Sequence, residues 1–141
     1  MSVFVDTSAL LAVLHSGDEN HARAARRFRA LLEGDEELVT TCYVLVETVA
    51  LLQHRFGLEA VRGFQDAVAP VLGVVWVGAE LHAEGAAALV TAGRRELSLV
   101  DCVSFDVMRH LGIKQVFTFD PHFAEQGFDC LPEVVRSRPR R

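Results

Sequence analysis

Only three of the 141 residues are cysteine. Cys42, Cys102 and Cys130 are odd in number, far apart and set among apolar neighbours, and none belongs to a Cys-x-x-Cys pair. That argues against a disulfide framework and for buried free thiols in a reducing cytoplasm. No apolar stretch approaches the roughly 20 residues of a membrane span, so no membrane association is expected. The N-terminus lacks a basic region followed by a signal-type apolar core, and secretion is not expected either. The six histidines, His15, His21, His54, His82, His110 and His122, contain no His-Glu-x-x-His and no zinc-like spacing. A Gly-x-x-x-x-Gly-Lys phosphate loop and a Gly-x-Gly-x-x-Gly fingerprint are also missing. Positive charge is in deficit: the net charge is −5, and the basic residues are almost all arginine. An acidic chain is not a default nucleic-acid binder, although a cluster of carboxylates around a cation would itself account for much of that balance.

Half the residues are hydrophobic, enough for a sizeable core in one domain of this length. Within the most apolar segments stand four acids. Asp6 follows Ser-Val-Phe-Val. Glu47 interrupts Cys-Tyr-Val-Leu-Val-Glu-Thr-Val-Ala-Leu-Leu. Asp101 lies in Leu-Ser-Leu-Val-Asp-Cys-Val-Ser-Phe, and Asp120 closes Gln-Val-Phe-Thr-Phe-Asp. Charge beside buried surface is costly unless paired or bound to a cation, and no basic residue is adjacent in sequence to any of the four. Oxygen ligands around a hard divalent metal would explain all of them together.

The pattern predicts a strand over Val3–Val5 ending at Asp6. A helix follows from Thr7-Ser8 to about Ser16-Gly17, and a second over Asp18–Glu33. A strand is expected over Leu38–Thr40. A long helix capped by Thr40 or Thr41 then ends at Phe56, before Gly57. Leu58 to about Val68 is expected to be helical, Val71–Val77 a strand and Ala79–Ala92 a helix stopped by Gly93. Ser98 caps a helix to Leu111 before Gly112, and Gln115–Phe119 is a strand. Asp120-Pro121 starts a short helix, and residues 128–135 add an edge strand. Strands alternating with helices imply a parallel sheet with helices on both faces. Such sheets bind ligands beyond the C-terminal ends of their strands, at a switch point in strand order, where Asp6 and Asp120 both fall. Residues 1–135 are expected to form the domain, and residues 136–141 a basic disordered tail.

Each acid also has a structural reading. Asp6 and Asp120 can cap the helices they precede, and Asp101, three residues after Ser98, nearly completes a capping box. Glu47 is mid-helix, where capping fails; a partly exposed helix face is its alternative. Together the four span nearly the whole chain and can meet only through the fold. Mg²⁺ takes octahedral oxygen ligands, and two such ions can promote phosphodiester cleavage with no protein nucleophile.

The elements Val-Phe-Val-Asp6-Thr-Ser-Ala-Leu-Leu, Val-Glu47-Thr, Leu-Ser-Leu-Val-Asp101-Cys-Val-Ser-Phe and Val-Phe-Thr-Phe-Asp120-Pro-His-Phe resemble those of PIN-domain ribonucleases. Within that family they look most like the VapC-type toxins of bacterial toxin–antitoxin pairs, over about residues 2–130. The resemblance implies a three-layer α/β/α fold with a central, mainly parallel sheet, and a metal-dependent endoribonuclease. It further implies that Asp6, Glu47, Asp101 and Asp120 bind Mg²⁺ or Mn²⁺, with Thr7 and Thr118 as supporting hydroxyls. An RNA substrate, a homodimer and a neutralising antitoxin protein are its expected partners. Arg23, Arg26 and Arg27 are candidate contacts to RNA phosphate, against the plainer reading of a solvated helix face. His122 is read first as a surface histidine and second as a phosphate contact. Asp106 is read as a solvent residue. Two other functions stay open: a PIN-like module that binds RNA or protein without cutting, and a metal-dependent phosphoesterase acting on DNA.

Overall fold

A computed structural model describes residues 1–133. Ser2–Val5 forms β1, and its Val3, Phe4 and Val5 have no exposed surface. A strand covered on both faces reads as a continuous apolar run, which is what a central parallel strand requires. The chain continues through α1 (Thr7–Leu14), α2 (His21–Glu33), β2 (Glu37–Thr41), α3 (Cys42–Phe56) and α4 (Leu58–Gly63). A π turn over Phe64–Val68 and a 3₁₀ turn over Ala69–Val71 lead into β3 (Gly73–Val75). Then come α5 (Ala79–Ala92), α6 (Leu99–Leu111), β4 (Gln115–Phe117), α7 (His122–Glu125) and β5 (Asp129–Leu131).

All five strands are parallel, in the order β3-β2-β1-β4-β5. Seven α-helices among the described residues flank the sheet, giving the three-layer α/β/α arrangement expected. The chain builds outward from β1 through β2 to β3, then returns across the sheet to lay β4 against the other side of β1. The switch point is therefore the gap between the C-terminal ends of β1 and β4. Register fixes it closely: Val5 pairs with Phe117, and Asp6 N–H donates to the Phe117 carbonyl at 3.1 Å.

Several boundaries differ from expectation for identifiable reasons. α2 starts at His21, because Asp18 forms a turn, its carboxylate accepting from Asn20 N–H at 2.7 Å. The helix expected over 58–68 loses its α pattern after Gly63, and Pro70 has no N–H with which to restore it. β3 is confined to Gly73–Val75, since its partner β2 ends at Thr41, where α3 begins, leaving Trp76 unpaired and 76% exposed. β4 ends at Phe117 and β5 spans only Asp129–Leu131. The proposed tail, 136–141, lies outside the described residues.

Candidate metal centre

The two strand ends and two helices that carry the acids converge at the switch point, and each of the three aspartates arrives there through a local backbone motif. Asp6 is the N-cap of α1. Its Oδ2 accepts from Ser8 N–H at 3.3 Å, Ser8 Oγ at 2.7 Å and Thr118 Oγ1 at 2.9 Å. Asp101 completes a capping box at the start of α6: Ser98 N–H donates to Asp101 Oδ2 at 3.1 Å, and Asp101 N–H to Ser98 Oγ at 3.0 Å. Asp120 Oδ1 accepts from His122 N–H at 2.9 Å, tightening the turn into α7. The capping and ligand readings are therefore compatible. In each aspartate one oxygen is held by backbone or hydroxyl donors, and among the described residues the other, Asp6 Oδ1, Asp101 Oδ1 or Asp120 Oδ2, has no hydrogen-bond partner. Capping fixes the side chain and leaves the second oxygen, and the remaining lone pair of the first, available to a ligand.

Ligand atoms of Asp101, Asp120 and His122 all lie within 4.8 Å of one another. Asp6 and Glu47 are outside this tight set, yet both feel its charge. Asp6, 4% exposed, has its pKa raised from 3.8 to about 6, chiefly by burial and further by Asp101, against the lowering effect of the Ser8 and Thr118 hydroxyls. Burial also pushes Glu47 and Asp101 upward. For Glu47 the charges of Asp101 and Asp120 add to the rise while the Thr7 hydroxyl opposes it; for Asp101 the Ser98 backbone opposes, and Asp120 adds. No lysine or arginine forms an ion pair with any of these acids among the described residues.

The expected supporting hydroxyls sit as follows. Thr118 donates to Asp6 and accepts from Asp120 N–H at 2.9 Å, joining two acids through one oxygen. Thr7 lies against Glu47 and receives a long hydrogen bond from Thr48 Oγ1, 3.4 Å. Two contributors were missed or underrated. Ser8 holds Asp6 twice and also accepts from Phe119 N–H at 2.9 Å; its place directly after Asp-Thr was the available signal. His122, read first as a surface residue, has a side chain only 15% exposed. Its Nδ1 is 2.9 Å from Asp120 Oδ1 but lacks hydrogen-bond geometry, so this buried nitrogen has no hydrogen-bond partner. Asp106, on α6, takes no part in the cluster.

The donor set fits a divalent cation. Three carboxylates with raised proton affinity and one unsatisfied imidazole nitrogen are what an ion would compensate. Burial raises the pKa of both Cys102 and Cys130, which argues against either as a thiolate nucleophile.

Of the three arginines, Arg23 has its guanidinium over the Phe119 ring, 5.8 Å from the centroid. Arg27 pairs with Glu133 at 3.0 Å, and Arg26 is exposed. Leu10 is fully buried in the core, so the Leu10–Leu14 segment is not a free apolar face. The α3 face is different. Val46 is 69% exposed, and a groove of about 430 Å³ runs between Val46, Val49, Gln53, Gln65 and Trp76.

The family model described as PIN domain matches residues 3–129. The 23S rRNA-specific endonuclease VapC20 of Mycobacterium tuberculosis is 36% identical over 133 residues, covering 93% of this chain and 99% of the relative. A VapC ribonuclease of Aquifex aeolicus is 26% identical over 127 residues, covering 90% of this chain and 93% of its own. The crystal structure of M. tuberculosis VapC20, described as a sarcin–ricin loop cleaving toxin, superposes with a TM-score of 0.79 at 35% identity, over 89% of this chain and 95% of that one. FitAcB from Neisseria gonorrhoeae shares the fold, with a TM-score of 0.64 at 16% identity, over 92% of this chain and 96% of its own.

Proposed function

This chain belongs to the PIN-domain family, and from that premise we propose that it is an endoribonuclease toxin of the VapC type, hydrolysing RNA phosphodiester bonds with Mg²⁺ or Mn²⁺. The observation that carries this reading is the convergence of half-engaged aspartates at the sheet's switch point, with no lysine or arginine paired to them among the described residues. Asp101 and Asp120 would hold the ion directly, with Asp6 and Glu47 completing the acidic surround. When bound, a divalent ion supplies positive charge at the scissile phosphate and makes water a stronger nucleophile.

The chain's own residues do the rest. Thr118 and Ser8 fix Asp6, and the capping box fixes Asp101 before any ligand arrives, so little reorganisation is needed at the moment of reaction. Glu47 is half-buried, and Asp101 and Asp120 raise its proton affinity. It is therefore placed to orient the attacking water and accept its proton. Asp120 is less suited to that task, because its Oδ1 is engaged by His122. Arg23, with Arg26 and Arg27 along the same helix, would hold backbone phosphate.

The VapC20 relative is described as specific for 23S rRNA, and structured ribosomal RNA is accordingly the first substrate to offer. A homodimer through the Val46–Trp76 face and an antitoxin are the partners we assign. An antitoxin arginine would make bidentate contacts to the unpaired carboxylates and compete with the ion. No described helix is long and apolar enough to cross a membrane, and the three free cysteines suit a cytoplasmic setting.

The test is cleavage of labelled ribosomal RNA, bulk RNA and DNA with Mg²⁺, Mn²⁺ or EDTA, by wild type and Asp6→Asn. RNA cutting that requires both metal and Asp6 supports the reading. Metal-independent cutting, or cutting retained in the variant, overturns it. Preferential cutting of DNA favours the phosphoesterase alternative, and binding without cutting favours the binding module.

A further inference from the structure

Building on the metal-dependent reading above, we propose that His122 is a direct nitrogen ligand of the metal, so that the centre is an Asp101–Asp120–His122 site that selects transition-metal ions over Mg²⁺.

Three observations lead there. First, the only set of three or more potential ligand residues found mutually within 4.8 Å among the described residues includes His122 and excludes Asp6 and Glu47. Second, His122 Nδ1 and Asp120 Oδ1 are 2.9 Å apart without hydrogen-bond geometry. In a direct ion pair the N–H, which lies in the ring plane, would be aimed at the carboxylate oxygen. Two donors at right angles on an octahedral ion with bonds of about 2.1 Å stand about 3.0 Å apart. The observed separation suits a third body shared between them. Third, the backbone that carries the ring is anchored. His122 opens α7, its own N–H is tied to Asp120 Oδ1 at 2.9 Å, and the next residue, Phe123, is fully buried against Phe105. Asp120 and His122 therefore move as one unit.

The chemistry sets the specificity. Carboxylate and water suit Mg²⁺, whereas an imidazole nitrogen adds affinity for ions later in the first transition series. Mn²⁺ and Co²⁺ should bind well ahead of Mg²⁺, and that margin should shrink when the imidazole is removed. The loss of Mn²⁺ affinity should be at least the roughly 10–100-fold seen when groups that merely support a ligand are removed.

The experiment is pulsed electron paramagnetic resonance of Mn²⁺ bound to tag-free protein with ¹⁵N-labelled histidine, comparing wild type with His122→Ala and His122→Asn. Isothermal titration with Mn²⁺ and Mg²⁺ and circular dichroism accompany it. A histidine nitrogen coupling in wild type that disappears in a folded variant still able to bind Mn²⁺ supports the proposal. Should His122→Ala not fold, His122→Asn serves, since its amide keeps polar contact at the turn. Mn²⁺ bound by wild type with no histidine coupling, or with a coupling that survives in the variants, overturns His122 ligation and leaves the nuclease reading intact. Failure of wild type to bind Mn²⁺ at all overturns both.

Discussion

Replacing Asp6 with asparagine should stabilise the metal-free protein while removing its activity. Asp6 is 4% exposed, and its carboxyl is shifted from 3.8 to about 6, mainly by burial. Its folded pKa therefore exceeds its unfolded one. Between about pH 4 and 6 the folded chain binds more protons than the unfolded chain, so this residue's contribution to stability falls as pH rises through that window. Above it, the ionised form costs the fold up to roughly 3 kcal/mol. Asparagine has no ionisation, and its amide oxygen can still accept from Ser8 and Thr118. Weakening those contacts from charge-assisted to neutral returns about 1 kcal/mol, for a net gain of about 1–2 kcal/mol. For a chain of this size that amounts to a rise in Tm of about 3–8 °C. The assay is thermal unfolding of both proteins in EDTA from pH 4 to 8. The difference should be near zero at pH 4 and reach its plateau above about pH 6.5. With Mn²⁺ the order should narrow or reverse, because ligand at 100 times Kd adds about 2.7 kcal/mol to whichever protein binds it. A variant melting at or below wild type in EDTA at pH 7.5, with a difference that does not change with pH, would refute the claim that burial frustrates this carboxylate.

Thr118→Val removes the hydroxyl shared by Asp6 and Asp120 and leaves Asp120 N–H without its partner. It should cost about 1–3 kcal/mol and lower cleavage by roughly 10–100-fold. The acid limb of the pH–rate profile should move to higher pH, since this hydrogen bond holds the Asp6 pKa down. Val46→Lys combined with Trp76→Ser should convert a dimer to a monomer in light scattering while circular dichroism stays that of the folded chain, with apparent stability lowered only by the lost association. A dimer that persists places the interface elsewhere. Arg23→Glu should weaken RNA binding and lower the salt dependence by about 0.7 per lost phosphate contact, without changing the cleavage rate at saturating RNA. An unaltered salt slope removes Arg23 from the binding surface.

Much of this architecture could be read directly from residues. Gly93 and Gly112 ended helices at the predicted positions, each in a left-handed conformation at φ 62° and 67°. Ser98 and Asp101 formed the capping box their spacing announced. Glu47 stood out because nothing local could use a carboxylate in mid-helix, and the four acids were legible because charge is conspicuous in apolar sequence. What stayed hidden depended on partners distant in the chain. Trp76 looked like strand until β2 was seen to stop short of it. Ser8 and Thr118, 110 residues apart, meet at 3.1 Å only because β4 docks beside β1. Burial of His122 follows from Phe123 anchoring α7, which no local pattern around Asp-Pro-His reveals.

The return of the chain to β1 has a consequence for synthesis. β1, β2 and β3, with Asp6, Glu47 and then Asp101, all emerge from the ribosome before β4 does. Until Gln115–Phe117 pairs with Val3–Val5, Thr118 cannot reach Asp6, and neither Asp120 nor His122 exists at the switch point. Domains form from the N-terminus as they are made, and here the piece that completes the centre follows β1–β3 and α1–α6. A chain stalled or cut before β4 keeps three of the four carboxylates and the larger part of the sheet, yet has nothing with which to bring them to bear on a phosphodiester. Synthesis of β4 and α7 is therefore itself a safeguard, since every shorter fragment lacks part of the centre.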